Sequence, residues 1–346
     1  MKKVKFGVIG AGGIAYRKTI PGMLEAENIE LEAVMDVENI DAIANDFGVN
    51  KAYSTAADLL ADDAIEAVYI ASPVELHLEQ ILAAAKAGKH VLCEKPLTLT
   101  LPEAEQAVKA CADNGVFLQE GYMMKFHGAH TTIRQLIADG ALGKIVYVRA
   151  QLSCWYPPIE GAWRQDPAKG GGGSLIDMAT HLYDLVEYLV APIERIVALT
   201  GNLVQDYKSE DAATTLLELK GGCHATIDTF FCVPDESSRT RLEIYGANGS
   251  IFTEGTIGQS IGGAAEGIFG LGAGGYDAAQ DKDVERAFAP IDFPEVNPYT
   301  AECEYFADCI LKGTPPTVND GGNALHIMNV TELAYASAKE GTVKTL

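Results

Sequence analysis

Val4-Lys5-Phe6-Gly7-Val8-Ile9-Gly10-Ala11-Gly12-Gly13-Ile14-Ala15 decides the fold. Val4–Ile9 is a short apolar, β-branched run, and a glycine turn follows it directly. The residues after the turn, to Ala26, read as a helix. Gly10, Gly12 and Ala15 fit G-x-G-x-x-G/A in the strand–turn–helix context that pattern requires. Gly10 permits the tight turn, Gly12 lets a pyrophosphate approach the backbone, and Ala15 allows close packing of helix on strand. The helix N-terminus, with Ala11, Gly13 and Ile14, faces the phosphates.

Outward from this turn the chain alternates. Ile29–Met35, Ala67–Ile70, His90–Cys93 and Phe117–Glu120 read as strands. Asn39–Phe47, Leu76–Ala87 and Leu101–Asn114 read as the helices between them. Such alternation predicts parallel βαβ units covered on both faces. Asp36 ends the second strand, 21 residues beyond Ala15, where a carboxylate accepts from both ribose hydroxyls. An Asp there repels a 2′-phosphate, and no Arg follows in Val37-Glu38-Asn39, so NAD is expected over NADP. The plainer reading is that Asp36 caps the helix beginning near Asn39.

Beyond Gly121–Lys125 the texture changes. Lys144–Trp155, Ile193–Gly201, Ala212–Leu219, His224–Cys232, Arg241–Tyr245 and Ser250–Thr253 read as successive strands of a mainly antiparallel sheet. Helices are expected over Ser174–Leu189, Pro298–Leu311 and Asn323–Ala338. The expected class is α/β, with a dinucleotide-binding domain over 1–122 and a substrate-binding and oligomerisation domain over 123–346. Gly255–Gly275, rich in glycine and alanine, reads as a flexible surface loop, with a lid or an oligomer contact as the sharper alternative.

A net charge of −22 argues against nucleic acid and anionic membranes. No apolar run approaches the roughly 18 residues of a membrane span, and the N-terminus runs into the glycine turn without a signal-peptide core. The seven cysteines are scattered and form no C-x-x-C, which suits a reducing, cytoplasmic setting. His127 and His130, three apart, do not supply a third metal ligand, and no catalytic metal is expected. His90, His224 and His326 read as structural.

Lys95 follows the strand His90–Cys93 at its carboxyl end, where ligands bind in such sheets. There a lysine can polarise a carbonyl or relay a proton, or it can bridge two domains by an ion pair. Asp177 and His181 lie four apart on one helix face, a spacing that suits acid–base work and also occurs in plain surface pairs. Trp163 offers a flat face to a ring and Arg164 a hydrogen-bonding fork, or they are a buried Trp and a surface Arg.

Ser72-Pro73 with His77, Cys93-Glu94-Lys95-Pro96, and Gly170-Gly171-Gly172-Gly173-Ser174-Leu175-Ile176-Asp177-Met178-Ala179-Thr180-His181 occur in that order. Together they resemble the Gfo/Idh/MocA family of sugar and cyclitol dehydrogenases, and the resemblance covers nearly the whole chain. It implies a Rossmann domain and a second α/β domain whose open sheet often makes dimer or tetramer contacts. It also implies cofactor contacts at Ser72, Pro73, His77, Glu94, Lys95, Trp163 and Arg164, and places Asp177 and His181 at the nicotinamide ring. Whether Lys95 or His181 is the main acid/base stays open. Tyr156–Arg164 resembles the 1,5-anhydrofructose reductases, which prefer NADP; Asp36 departs from that preference. Lys125 stands where relatives often carry Arg, a second departure that bears on substrate anion contacts.

The resulting expectation is reversible hydride transfer between NAD and a secondary alcohol of a sugar, cyclitol or similar polyol, in a homodimer or homotetramer. The rivals are a glycosidase using tightly held NAD for transient oxidation and a non-catalytic dinucleotide sensor.

Overall fold

The computed structural model describes residues 2–271 and 287–346. Six strands form the first sheet: β1 (Val4–Ile9), β2 (Ile29–Met35), β3 (Lys51–Tyr53), β4 (Ala67–Ile70), β5 (His90–Glu94) and β6 (Leu118–Gly121). Every pair is parallel, in the order β3-β2-β1-β4-β5-β6. The continuous apolar runs follow from this arrangement, since all four residues of β4 are buried and helices cover both faces. The strand order reverses between β1 and β4, and a crevice opens there at the carboxyl ends.

One face of this sheet takes a helix from the far end of the chain. Cys303, Phe306 and Ala307 of the helix Pro298–Lys312 share a core with Val4, Phe6 and Val8, and the rings of Phe6 and Phe306 lie 6.3 Å apart. A single cut at 122/123 therefore does not separate the two cores. The helix Gly321–Glu340 belongs to both: Ala324 and Met328 pack on the first sheet, Ile327, Val330 and Ala334 on the second.

The second sheet has nine strands: β7 (Ile145–Ser153), β8 (Ile193–Gly201), β9 (Ala212–Leu219), β10 (Cys223–Phe230), β11 (Arg241–Gly246), β12 (Gly249–Glu254), β13 (Ala264–Ile268), β14 (Ala289–Pro290) and β15 (Lys344–Thr345). Their order is β14-β13-β12-β11-β7-β10-β9-β8-β15, antiparallel apart from β7 with β10. One face packs Ile196, Leu217, Ala225 and Ile227 against Leu182, Leu185 and Val186 of the helix ending at Leu189. The other face leaves Leu199 and Leu216 exposed.

Gly255–Gly275 is not the featureless loop its composition suggests. β13 lies within it, paired to β12, and Gly255, Ile257, Gly258, Gln259 and Ser260 line a cleft. The histidine pair holds this segment: His127 Nε2 lies 3.1 Å from Gly262 O, and His130 Nε2 3.3 Å from Thr256 Oγ1. Residues 272–275 of the stretch lie outside the described residues.

Candidate active site

A cleft of about 1340 Å³ runs from the crevice between β1 and β4 to the second domain. At its floor Gly10 has φ +79°, and a Cβ there would lie 2.6 Å from Ser72 N. The turn after β1 and the turn after β4 touch through this residue, so only glycine fits. The Gly12 N–H donates to Asp36 Oδ2 at 2.8 Å, and the Glu38 N–H donates to Asp36 Oδ1 at 3.2 Å. Both oxygens of Asp36 are thus fixed at the rim beside the glycine turn, as a ribose-binding carboxylate needs. A dinucleotide fits this donor set and this volume.

Most of the residues singled out in the sequence line this cleft: Gly10, Gly12, Gly13, Ile14 and Asp36 at one end, Ser72, Pro73 and Glu94 along the wall, and Lys95, Trp163, Arg164, Asp177 and His181 at the other. Ala11 does not. It is fully buried and its N–H donates to Met35 O, so its side chain serves the core. His77 borders the cleft but is almost fully buried, with Nε2 2.9 Å from Ser72 O and Nδ1 3.1 Å from Pro96 O. Burial lowers its pKa. Its ring ties the turn after β4 to the turn after β5, so any effect on a cofactor is exerted through those turns.

The end of the cleft toward the second domain is built by three charges and one neutral ring. Lys95 Nζ donates to Asp177 O at 2.6 Å and to Asp177 Oδ1 at 3.1 Å. Arg164 Nε donates to the same Oδ1 at 3.0 Å, and its guanidinium lies 4.0 Å from the centre of the Trp163 ring. Burial pushes the Asp177 pKa up, but the charges of Arg164 and Lys95 outweigh it and hold the carboxyl well below its usual range. Asp177 is therefore held as an anion.

His181 differs. Its Nδ1 is sealed from solvent without a hydrogen-bond partner, and its ring packs edge-on against Tyr122 at 5.6 Å. Burial and then the Lys95 charge push its pKa well below the ordinary value, against the opposing pull of Asp177. The ring is neutral near pH 7. The expected Asp177–His181 partnership takes another form, because Asp177 binds Lys95 and Arg164. The helix is also wound wider than an α-helix over Leu175–Ala179, which alters the simple four-residue stacking.

Lys125 is a buried structural cation. It pairs with Asp184 at 2.6 Å and donates to Asn323 Oδ1 at 3.0 Å, away from the cleft. Close by, Glu120 accepts from the Leu97 N–H at 2.8 Å, while its Oε2 is buried without a partner. Burial pushes the Glu120 pKa up to about 8. A carboxyl raised in the folded state favours folding below its unfolded pKa, and that contribution is lost as pH rises toward 8. Glu120→Gln is thus expected to melt higher than the parent at pH 9 by several degrees and to show a smaller advantage at pH 6. Thermal melts across pH check it, and parallel curves for the two proteins would contradict the assignment.

Sequence reading missed the cleft residues Thr240 and Tyr299, contributed by remote segments. No local motif marks them, because they meet only when the two sheets are assembled.

Comparison with known proteins covers both domains. Residues 4–122 match the oxidoreductase family with an NAD-binding Rossmann fold, and residues 130–252 match the GFO/IDH/MocA C-terminal domain. A D-xylose 1-dehydrogenase (NADP(+)) of Haloferax volcanii is 30% identical over 99% of both chains. A 1,5-anhydro-D-fructose reductase of Ensifer adhaerens is 31% identical over 71% of this chain and 74% of its own. The crystal structure of the aldose-aldose oxidoreductase of Caulobacter crescentus superposes with a TM-score of 0.87 at 25% identity, covering both chains in full. The fold, the glycine turn against Asp36, and these matches along nearly the entire length make the chain a member of the Gfo/Idh/MocA family of NAD(P)-dependent oxidoreductases.

Proposed function

We propose that this protein transfers hydride between NAD and a secondary alcohol or ketone of a sugar, cyclitol or similar polyol. The observation that carries the reading is the meeting of Lys95, Asp177, Arg164 and a neutral His181 at one end of a cleft whose other end is the glycine turn. Bound nicotinamide supplies the hydride acceptor or donor. Lys95 has two of its three donors on Asp177, which leaves one for the substrate oxygen. Asp177 is held by two cations and accepts from a neighbouring substrate hydroxyl. With Nδ1 sealed, His181 takes the hydroxyl proton through Nε2; its depressed pKa leaves the ring unprotonated, though a weaker base than free imidazole. Trp163 gives the sugar ring a flat apolar face. The xylose and anhydrofructose in the names of the two relatives support a neutral sugar as substrate class. The test is NAD reduction with a panel of aldoses, anhydro-sugars and inositols.

NAD rather than NADP is supported by the two carboxylates at the ribose end, Asp36 and Glu38, which oppose a 2′-phosphate. NAD is expected to bind at least ~10-fold tighter than NADP, and Asp36→Ala to remove most of the difference. Fluorescence titration of both cofactors decides this; equal affinities in the parent would overturn it.

We also propose a homodimer or homotetramer. The sheet face opposite the helices exposes Leu199 at 72% and Leu216 at 52%, with Leu203 and Val204 exposed close by in sequence. Apolar side chains in that position favour a partner surface. Light scattering at micromolar concentration is expected to give a multimer, and a monomer would contradict it.

A further inference from the structure

The helical segment that carries Asp177 and His181 begins without a cap of its own. Ser174 makes no side-chain cap, and its hydroxyl donates instead to Thr229 O at 3.2 Å. The free N–H groups at this end are met by a residue 35 positions away. The Gly173 N–H donates to Glu210 Oε2 at 2.9 Å, the Ser174 N–H to Glu210 O at 3.0 Å, and the Leu175 N–H to Glu210 Oε1 at 3.1 Å. The Tyr335 hydroxyl donates to the same Oε1 at 2.9 Å. Three successive backbone donors and a tyrosine from the last long helix thus converge on one residue.

This contact accounts for the last two glycines of the run. A Cβ on Gly173 would lie 1.9 Å from Glu210 O, and one on Gly172 2.0 Å from Tyr335 Oη. Glu210 is in turn held in place by its neighbour. The Asp211 carboxylate accepts from the N–H groups of Leu203, Val204 and Gln205 at 2.7, 2.8 and 2.7 Å, which fixes the loop leading into β9.

We infer that Glu210 is a positioning residue for the reaction: its carboxylate clamps the first turn of the helix and so sets where Asp177 and His181 stand relative to Lys95. The inference rests on the proposed function for its kinetic consequence and on geometry alone for the clamp. A negative group at a helix N-terminus also complements the local dipole. Glutamine at this position keeps one acceptor oxygen but turns an amide N–H₂ toward the Gly173 N–H, so the clamp is half lost.

The test compares the parent with Glu210→Gln, and with Glu210→Ala should the first variant fold poorly. Hydrogen exchange at the amides of Gly173–Leu175 is expected to quicken by about tenfold or more, and kcat on the active polyol to fall by about tenfold. NAD affinity should stay within about twofold, because Glu210 does not reach the Gly10–Gly13 turn. In a His181→Ala background the same substitution should cost less than about threefold, since part of what it positions is gone. Unchanged exchange would overturn the clamp. Faster exchange with undiminished kcat per NAD-binding site, and only a lower melting temperature, would show a structural role and overturn the positioning. If the parent turns over no polyol, the functional reading fails, and exchange at Gly173–Leu175 and at Asp177–His181 still decides the clamp.

Discussion

Lys95→Ala is expected to lower turnover by roughly 10²-fold or more while NAD affinity stays within about twofold. Phosphate binding rests on backbone groups at the glycine turn, which this side chain does not touch, whereas the reacting end loses two hydrogen bonds at once. Asp177 keeps only the Arg164 contact, and on the proposed reading the substrate oxygen loses a charged donor. Removing one member of a buried ion pair can cost about 3–5 kcal/mol of stability. Asp177 borders an open cleft that water can enter, so the variant should remain folded. Rapid kinetics with a NAD titration on the same preparation separates the two effects. Near-parental turnover with unchanged NAD affinity would place the chemistry elsewhere.

His181→Ala should cost about as much, roughly 10²-fold or more, because it removes the neutral acceptor. If Lys95 and His181 act on one proton path, the double variant should be little worse than the poorer single one. The pH profile adds an independent check. A His with its pKa pushed down by burial and by Lys95 keeps its base form to lower pH than free imidazole does. The acid limb of kcat/KM for alcohol oxidation should therefore fall below the ordinary histidine pKa of about 6.5. A limb at or above that value, lost in His181→Ala, would show that the ring is more solvated than the structure makes it.

The first domain was legible because its signals are local. β1 and β4 are apolar runs ended by turn residues, and helices of this domain close on glycines such as Gly48, Gly88 and Gly115. The three-residue edge strand β3 carries no periodicity long enough to read. The helix Gly128–Ala138 also went unread, because it opens on Gly128 and places His130, Thr131 and Thr132 in its first turns, which blur the apolar period. The sequence likewise gave no sign that Pro298–Lys312 returns to the first sheet; that depends on which face of β1 remains uncovered.

The site divides in the same way. Gly10, Asp36 and Lys95 announce themselves at strand ends, where the fold puts ligands. The contact that defines the reacting end, Lys95 with Asp177, joins residues 82 apart, and the clamp on their helix comes from Glu210 and Tyr335. The glycine run was visible as a motif, but the cause of Gly172 and Gly173 was not, since the atoms that need the space there belong to Tyr335 and Glu210.

The measurement that tests the central claim most directly is a polyol screen with the parent protein and NAD. NADH formation is followed by absorbance, and sugar products are assayed in the same wells. The account predicts NADH formation in proportion to a keto or lactone product with at least one sugar or inositol, abolished to within roughly 1% in Lys95→Ala. Release of free sugar from a glycoside without net NADH would show transient redox at the same site instead. Tight NAD binding with no turnover of any polyol or glycoside would contradict the enzymatic reading.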